Sequence, residues 1–202
     1  GDCVCHSLPV DYGRKTRHYL AAARRLAGGV AASHRVVPVS LGSVGGSAMT
    51  AADIPVPKNS DAAGIPDTYV PARNTIFLSY GLALAEVLAA EVVFIGVNSV
   101  DYSGYPDCRP EFIRAFQALA NLATRQGVEG NPVHIRAPLQ NMNKRGIITW
   151  GASLGVDYGK TLTCYDPVGD EGLACGECDS CRLRRQGFDE AGVPDPTRYA
   201  RA

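Results

Sequence analysis

Val92-Val93-Phe94-Ile95-Gly96-Val97 is an unbroken apolar run of strand length, and such runs belong to parallel strands covered on both faces. It reads as a central strand, and the rest of the chain is placed around it. Before it, Asn74 stands where a helix cap is expected, with a helix to about Ala90 and Ile76, Phe77, Tyr80, Leu84, Val87 and Leu88 near one face. After it comes a polar loop, and Pro110 then opens a helix in which Phe112, Ile113, Phe116, Leu119, Ala120 and Ala123 recur at helical spacing. Val133 to Ala137 is a further strand, and Asn143 caps a helix through Ile147, Ile148 and Leu154. Toward the amino terminus, Cys3 to Val10 reads as a strand closed by Asp11-Tyr12-Gly13. Arg14 to Ala27 reads as a helix stopped by Gly28-Gly29, and His34 to Val39 as a second strand. Residues 41–70 are rich in Gly, Pro, Ser and Asp and form a long loop with a short helix after Ser47. Alternating strands and helices predict an α/β protein of three layers, helices covering both faces of a mostly parallel sheet. Ligands in such folds sit beyond the carboxyl ends of the strands, which singles out the loops after Val10, Val39, Val97 and Ala137.

Composition narrows the partners. Of 202 residues, 46% are apolar and 20% charged, the balance of an ordinary globular chain. Twenty basic side chains meet twenty acidic ones, so no net field draws the chain to nucleic acid or an anionic membrane. Bound nucleotide must be held by local groups. No apolar run reaches the roughly 20 residues that cross a bilayer, and the first residues lack the grammar of a secretory signal. The cytoplasm is the expected location. Gly1-Asp2-Cys3 runs straight into a strand without an initiator Met, which reads as a chain whose amino-terminal part is missing.

Seven cysteines, an odd number, fit poorly with a fully paired disulfide framework. Four of them cluster near the end. Cys164 precedes Cys175-Gly176-Glu177-Cys178-Asp179-Ser180-Cys181, where two-residue spacers let successive thiolates turn toward one ion. Zn²⁺ takes four such ligands in a tetrahedron, and a closed tetrathiolate leaves no position for water, so one structural zinc ion per chain is expected on Cys164, Cys175, Cys178 and Cys181. The alternatives are an iron–sulfur cluster, whose bacterial ferredoxin spacing carries its fourth cysteine downstream before a proline, and free or disulfide-bonded thiols. Cys3, Cys5 and Cys108 lie outside the cluster and read as incidental. From about Lys160, strand and helix signals give way to Cys, Gly and Pro, dividing the chain into an α/β domain at 1–159 and a zinc-binding region at 160–202.

A longer pattern follows the Val92–Val97 strand. Val97-Asn98-Ser99-Val100-Asp101-Tyr102-Ser103-Gly104-Tyr105-Pro106-Asp107-Cys108-Arg109-Pro110-Glu111-Phe112 resembles the 7-cyano-7-deazaguanine synthases. The resemblance continues in Tyr69-Val70-Pro71-Ala72-Arg73-Asn74-Thr75, in the four-cysteine segment, and in Gly187-Phe188 through Asp195-Pro196-Thr197, covering nearly the whole chain. It implies an adenine nucleotide alpha hydrolase-like, Rossmann-like fold of the ATP-pyrophosphatase superfamily. It also implies an ATP-dependent ligase in queuosine biosynthesis that adenylates 7-carboxy-7-deazaguanine, lets ammonia form the amide, and dehydrates that amide to the nitrile. ATP with Mg²⁺ is the implied co-substrate, and a homodimer is compatible with it. Alternatives are a zinc-stabilised deazaguanine-binding fragment without ATP chemistry, and a sister ATP-pyrophosphatase that modifies tRNA. Neutral charge argues against the large RNA footprint of the latter.

On this resemblance the substrate residues are Asp101, Tyr102, Asp107 and Arg109. A carboxylate accepts the ring N–H and exocyclic amine of a deazaguanine as a pair, tyrosines stack on the flat base, and a guanidinium fork suits a carboxylate or phosphate. Arg73 and Asn74 at one helix start, and Lys144 at another, are the ATP contacts, since helix N-termini attract phosphate. The superfamily's phosphate loop, Ser-Gly-Gly-x-Asp-Ser, is expected before the first strand and is not in this sequence. Leu41-Gly42-Ser43-Val44-Gly45-Gly46-Ser47 has the glycines without the Asp and reads as a turn and helix cap. Arg14 and Tyr19 stand where the family usually has Gln and Glu. The chain as it stands is therefore not expected to cleave ATP.

Overall fold

Parallel pairing and helical crossovers appear throughout the computed structural model, which describes residues 3–13, 16–58 and 64–200, without the side chains of residues 101–103. Strands β1 (His6–Ser7) and β2 (Val10–Asp11) run parallel to β3 (Ser33–His34) and β4 (Val37–Pro38), and α1 (Thr16–Ala27) crosses between them. His6 pairs with Ser33 and Val10 with Val37 in one common register. The expected single strands are thus each split in two. Pro9 is the cause, because it has no N–H to give the Arg35 carbonyl that the parallel ladder would present to it. The expected loop follows, with a 3₁₀ turn at Leu41–Ser43 and one helical turn after Ser47, whose hydroxyl accepts from the Met49 N–H at 3.1 Å.

Helix α2 (Arg73–Leu88) leads to β5 (Val92–Phe94), and α3 (Ser99–Gly104) and a 3₁₀ turn at Pro106–Cys108 lead to α4 (Pro110–Ala123). A short α5 (Arg125–Val128) then precedes β6 (His134–Arg136), which pairs in parallel with β5. Helix α6 (Lys144–Ser153), a 3₁₀ turn at Tyr158–Lys160 and α7 (Asp179–Ala191) complete the chain. The α/β class with parallel strands matches the sequence reading.

The described residues of Gly1–Ala63, Asp67–Val70 and Lys144–Ala202 form one compact unit, and those of Gly64–Pro66 and Pro71–Asn143 another. A boundary at residue 160 remains a proposal from composition.

Within the second unit, Leu78, Leu82, Ala85, Ile113, Phe116 and Ala120 of α2 and α4 pack with Val97, Val133 and Ile135 into one core. Gly81 lets α2 approach β5, since a methyl group there would lie 3.3 Å from Val93 Cγ1. Two expectations are corrected here. The buried stripe of α2 runs through Asn74, Leu78, Leu82 and Ala85 while Val87 is exposed, because an apolar all-round helix gives no sequence signal for its inner face. Phe94 is 70% exposed, so the opening apolar run is not covered on both faces. On β6 the outer edge is closed by a side chain: Gln117 donates to the Val133 carbonyl at 2.9 Å and accepts from the Ile135 N–H at 2.7 Å. That amide satisfies backbone groups that an edge strand otherwise leaves open.

In the first unit α6 lies against α7, where Gly187 meets Lys144 and Ile148 with no room for a side chain. The region after Lys160 therefore contains a 13-residue helix that its polar, Cys-rich text concealed. Cys178 caps it, Asp179 sits in its first turn, and Gly192 ends it in the left-handed region. No helix among the described residues is long and apolar enough to cross a membrane.

Candidate functional site

The four clustered cysteines converge as their spacing predicts. Cys164 arrives from the segment after the Tyr158–Lys160 turn, Cys175 and Cys178 from a turn around Gly176, and Cys181 from the first turn of α7. Gly176 has φ +83°, a conformation that only glycine adopts at no cost. All four sulfur atoms lie within 4.8 Å of one another, and none forms a disulfide. Backbone N–H groups point at them: Cys175 and Asp166 donate to Cys164 Sγ at 3.2 and 3.3 Å, Cys178 to Cys175 Sγ at 3.4 Å, and Tyr165 to Cys178 Sγ at 3.4 Å. Donors aimed at sulfur stabilise thiolates rather than thiols. The Cys178 thiol is drawn down by hydrogen bonds from the Cys164 and Cys181 thiols, and Cys164 is pushed up chiefly by giving that bond. A dication that replaces the protons shared among these sulfurs completes the cluster. The donor set is that of a closed, tetrahedral metal centre.

The surroundings of this centre were not legible in the sequence. Ala48, Val56 and Ala174 pack directly on Cys164, Cys178 and Cys181, with Ile54, Leu162, Tyr165 and Tyr199 around them. Lys58 forms an isolated antiparallel bridge with Cys178 and an ion pair with Asp166 at 2.9 Å. Tyr19 donates its hydroxyl to the Cys164 carbonyl, so the tyrosine standing where the family usually has Glu joins α1 to the metal-binding segment. Arg14 lies outside the described residues.

In the second unit, two predicted residues meet. The Asn74 backbone N–H donates to Asp107 Oδ2 at 2.9 Å, and its side-chain amide donates to the Asp107 carbonyl at 3.0 Å and to Cys108 Sγ at 3.1 Å. All three residues are buried, and Gln140 adds a 2.7 Å bond to the Cys108 carbonyl. Asn74 is therefore not the cap of α2; Ala72 is, in the left-handed region and without a side-chain bond. The Asp107 carboxylate reaches across and takes one N–H of that helix start. Cys108, which looked incidental, is part of the same strut.

This strut brings two helix starts together. Arg73 is the first residue of α2, with its guanidinium 5.9 Å from the Phe77 ring centroid, and Arg109 is the N-cap of α4, where no side chain caps the helix. A shallow groove over β5 and β6 is lined by Val92, Phe94, Ile113, Arg136, Pro138 and Gln140 among others. The loop after Val97 is helical where a polar loop was expected, because Asn98 Oδ1 accepts from the Val100 N–H at 3.1 Å and Ser99 bonds the Met142 carbonyl. The side chains of Asp101 and Tyr102, on this α3 helix, lie outside the described residues. Lys144 is the first residue of α6 in the other unit.

Fold and site define the class: an α/β protein with parallel strand pairs and a four-cysteine cluster that could hold one metal ion. The family described as queuosine biosynthesis protein QueC matches residues 3–192. The 7-cyano-7-deazaguanine synthase of Thiobacillus denitrificans is 60% identical over 199 residues, covering 98% of this chain and 88% of that protein. Those of Alcanivorax borkumensis and Anaeromyxobacter dehalogenans are each 58% identical, covering 97% of this chain and 88% and 85% of theirs. The chain belongs to the QueC family of queuosine biosynthesis.

Proposed function

We propose that this chain is a 7-cyano-7-deazaguanine synthase, an ATP-dependent ligase that converts 7-carboxy-7-deazaguanine and ammonia to the nitrile in the cytoplasm. Family membership carries the reading, since relatives named for that product match almost end to end. A carboxylate is a poor electrophile until one oxygen becomes part of a leaving group. Attack of the substrate carboxylate on the α-phosphorus of ATP expels pyrophosphate and gives the acyl-adenylate, and ammonia then displaces AMP to form the amide. A second adenylation on the amide oxygen lets that oxygen leave with AMP, and loss of the remaining N–H protons leaves the nitrile. Both adenylations place negative charge on phosphate, with Mg²⁺ accompanying the nucleotide.

Arg73 and Arg109, held near one another by the Asn74–Asp107 strut, supply two positive charges at helix N-termini suited to that phosphate or to the substrate carboxylate. Lys144, at the start of α6, is assigned as a phosphate contact from its helix-start position alone. Asp101 reads the base and Tyr102 stacks on it. We assign the base to Asp101 rather than Asp107 because the Asp107 carboxylate already accepts from Asn74. Cys164, Cys175, Cys178 and Cys181 would hold one structural zinc ion, which contributes folding energy and no chemistry. Protein carrying the superfamily's phosphate loop is expected to release pyrophosphate from ATP only when 7-carboxy-7-deazaguanine is present, and AMP, with continued turnover, only when ammonia is present as well. Release of ADP and phosphate would overturn the adenylation mechanism.

The two aspartates separate in calorimetry. Asp101→Asn is expected to weaken binding of the deazaguanine by at least ~2 kcal/mol, about 30-fold, because one acceptor of a paired contact becomes a donor. Asp107→Asn is expected to leave that affinity within a few fold and instead to lower the melting temperature, through loss of a buried charge-assisted hydrogen bond. Equal affinities for Asp101→Asn and wild type would remove Asp101 from the base.

A further inference from the structure

A metal-loaded tetrathiolate is not neutral: four thiolates against one dication leave two excess negative charges, which a partly buried site must have answered nearby. Cys164, Cys178 and Cys181 are buried, whereas Cys175 is only half-buried. Cys175 is thus the ligand most open to a competing chelator or an oxidant. A lysine is set beside that sulfur. The Lys58 ammonium pairs with Asp166 Oδ2 at 2.9 Å and its backbone bridges Cys178; burial opposes its charge, while Asp166 and Cys175 favour it and hold the ammonium above its ordinary value. Arg185, on the other flank, is committed elsewhere: it donates to the Gly176 carbonyl at 2.9 Å and lies 3.9 Å from the Tyr199 ring centroid. Lys58 also ends the segment whose Ala48, Ile54 and Val56 pack on the cysteines.

We propose that Lys58 is a positioning residue of the metal centre, whose ammonium holds and shields the Cys175 ligand and ties the 47–58 segment to it. The inference rests on the zinc reading above. Hydrogen-bonded partners of metal ligands typically change metal affinity 10- to 100-fold when removed, and here the effect falls on metal release, because the shielded ligand is the exposed one. The test is zinc release from purified, zinc-loaded protein to a chromogenic chelator, with and without hydrogen peroxide, in wild type, Lys58→Gln, Lys58→Arg and Arg17→Gln. Arg17 makes an exposed ion pair with Asp170 and controls for loss of one surface charge. Lys58→Gln is expected to start with one zinc per chain and to release it about 10-fold faster or more, in both conditions. Lys58→Arg and Arg17→Gln should stay near the wild-type rate. A Lys58→Gln rate equal to wild type overturns the proposal, as does a Lys58→Arg rate equal to that of Lys58→Gln. Absence of zinc from wild-type protein in elemental analysis would overturn the metal reading itself, before any release is followed.

Discussion

Stripping the metal, or replacing Cys178 with Ser, is expected to abolish the cooperative thermal transition of the unit that contains the cysteine cluster. Structural zinc sites contribute on the order of 10–16 kcal/mol of apparent binding energy at neutral pH, whereas a whole domain is typically stable by about 5–15 kcal/mol. The first quantity is as large as the second, so little folded protein should survive the loss. Cys178 is fully buried, accepts from the Tyr165 N–H and caps α7, so the damage spreads from the metal to the helix and to the residues packed on it. The check is calorimetry with and without a strong chelator, together with metal analysis, which should return one zinc and no iron per chain. A melting temperature unmoved by complete zinc removal would contradict a structural role. Because protons compete for thiolates, zinc should also be lost progressively as pH falls.

Arg184→Ala is expected to cost about 3–5 kcal/mol, the usual consequence of removing one partner from a buried ion pair. Arg184 is 6% exposed as a side chain, pairs with Asp195 at 3.2 Å, and donates to Thr161 Oγ1 at 2.8 Å and to the Tyr158 carbonyl at 3.1 Å. Its guanidinium lies 5.0 Å from the Phe188 ring centroid. Truncation leaves the half-buried Asp195 with its Thr197 and Tyr199 hydrogen bonds but without its cation. The exposed pair of Arg17 with Asp170 is the contrast, worth roughly 0–1 kcal/mol. The Asp195 carboxyl also sets a pH dependence. Burial alone would raise it, but the Thr197 hydroxyl and N–H, the Tyr199 hydroxyl and Arg184 together hold it below its ordinary value of 3.8. Its contribution is therefore fully present above that ordinary value and is lost as pH falls through the depressed one. Denaturant titrations of wild type and Asp195→Asn across the acid range should converge at the lowest pH. Curves that stay parallel would refute the assignment.

How much of this was legible in the sequence depended on range. The cysteine centre was fully readable, because Cys175, Cys178 and Cys181 sit within seven positions and their chemistry is local. The strand–helix alternation was readable for the same reason. Lys58 was not, since its partner Asp166 is 108 residues away and a single lysine in a loop carries no pattern. Tyr19, bonded across 145 residues to Cys164, was noticed only as a departure from a family motif. Asn74 and Asp107 were singled out as ligands, yet local text cannot say that two such groups are near enough to bond each other. The run at Val92–Val97 named its strand correctly and its burial wrongly, because apolar text reports a preference for cover, not which neighbour provides it.

The way the metal segment closes on residues near the start of the chain has a consequence for synthesis. Ile54, Val56 and Lys58 leave the ribosome about 120 residues before Cys181 does, which at roughly 5–20 residues per second is about 6–25 s. During that interval this apolar segment has no cysteine centre to rest on, and the crossover of α1 between its strands can form without it. A nascent chain stalled short of Cys181 would therefore display Ile54 and Val56 to chaperones, and the arrival of the last thiolate and its metal marks the moment when that exposure ends.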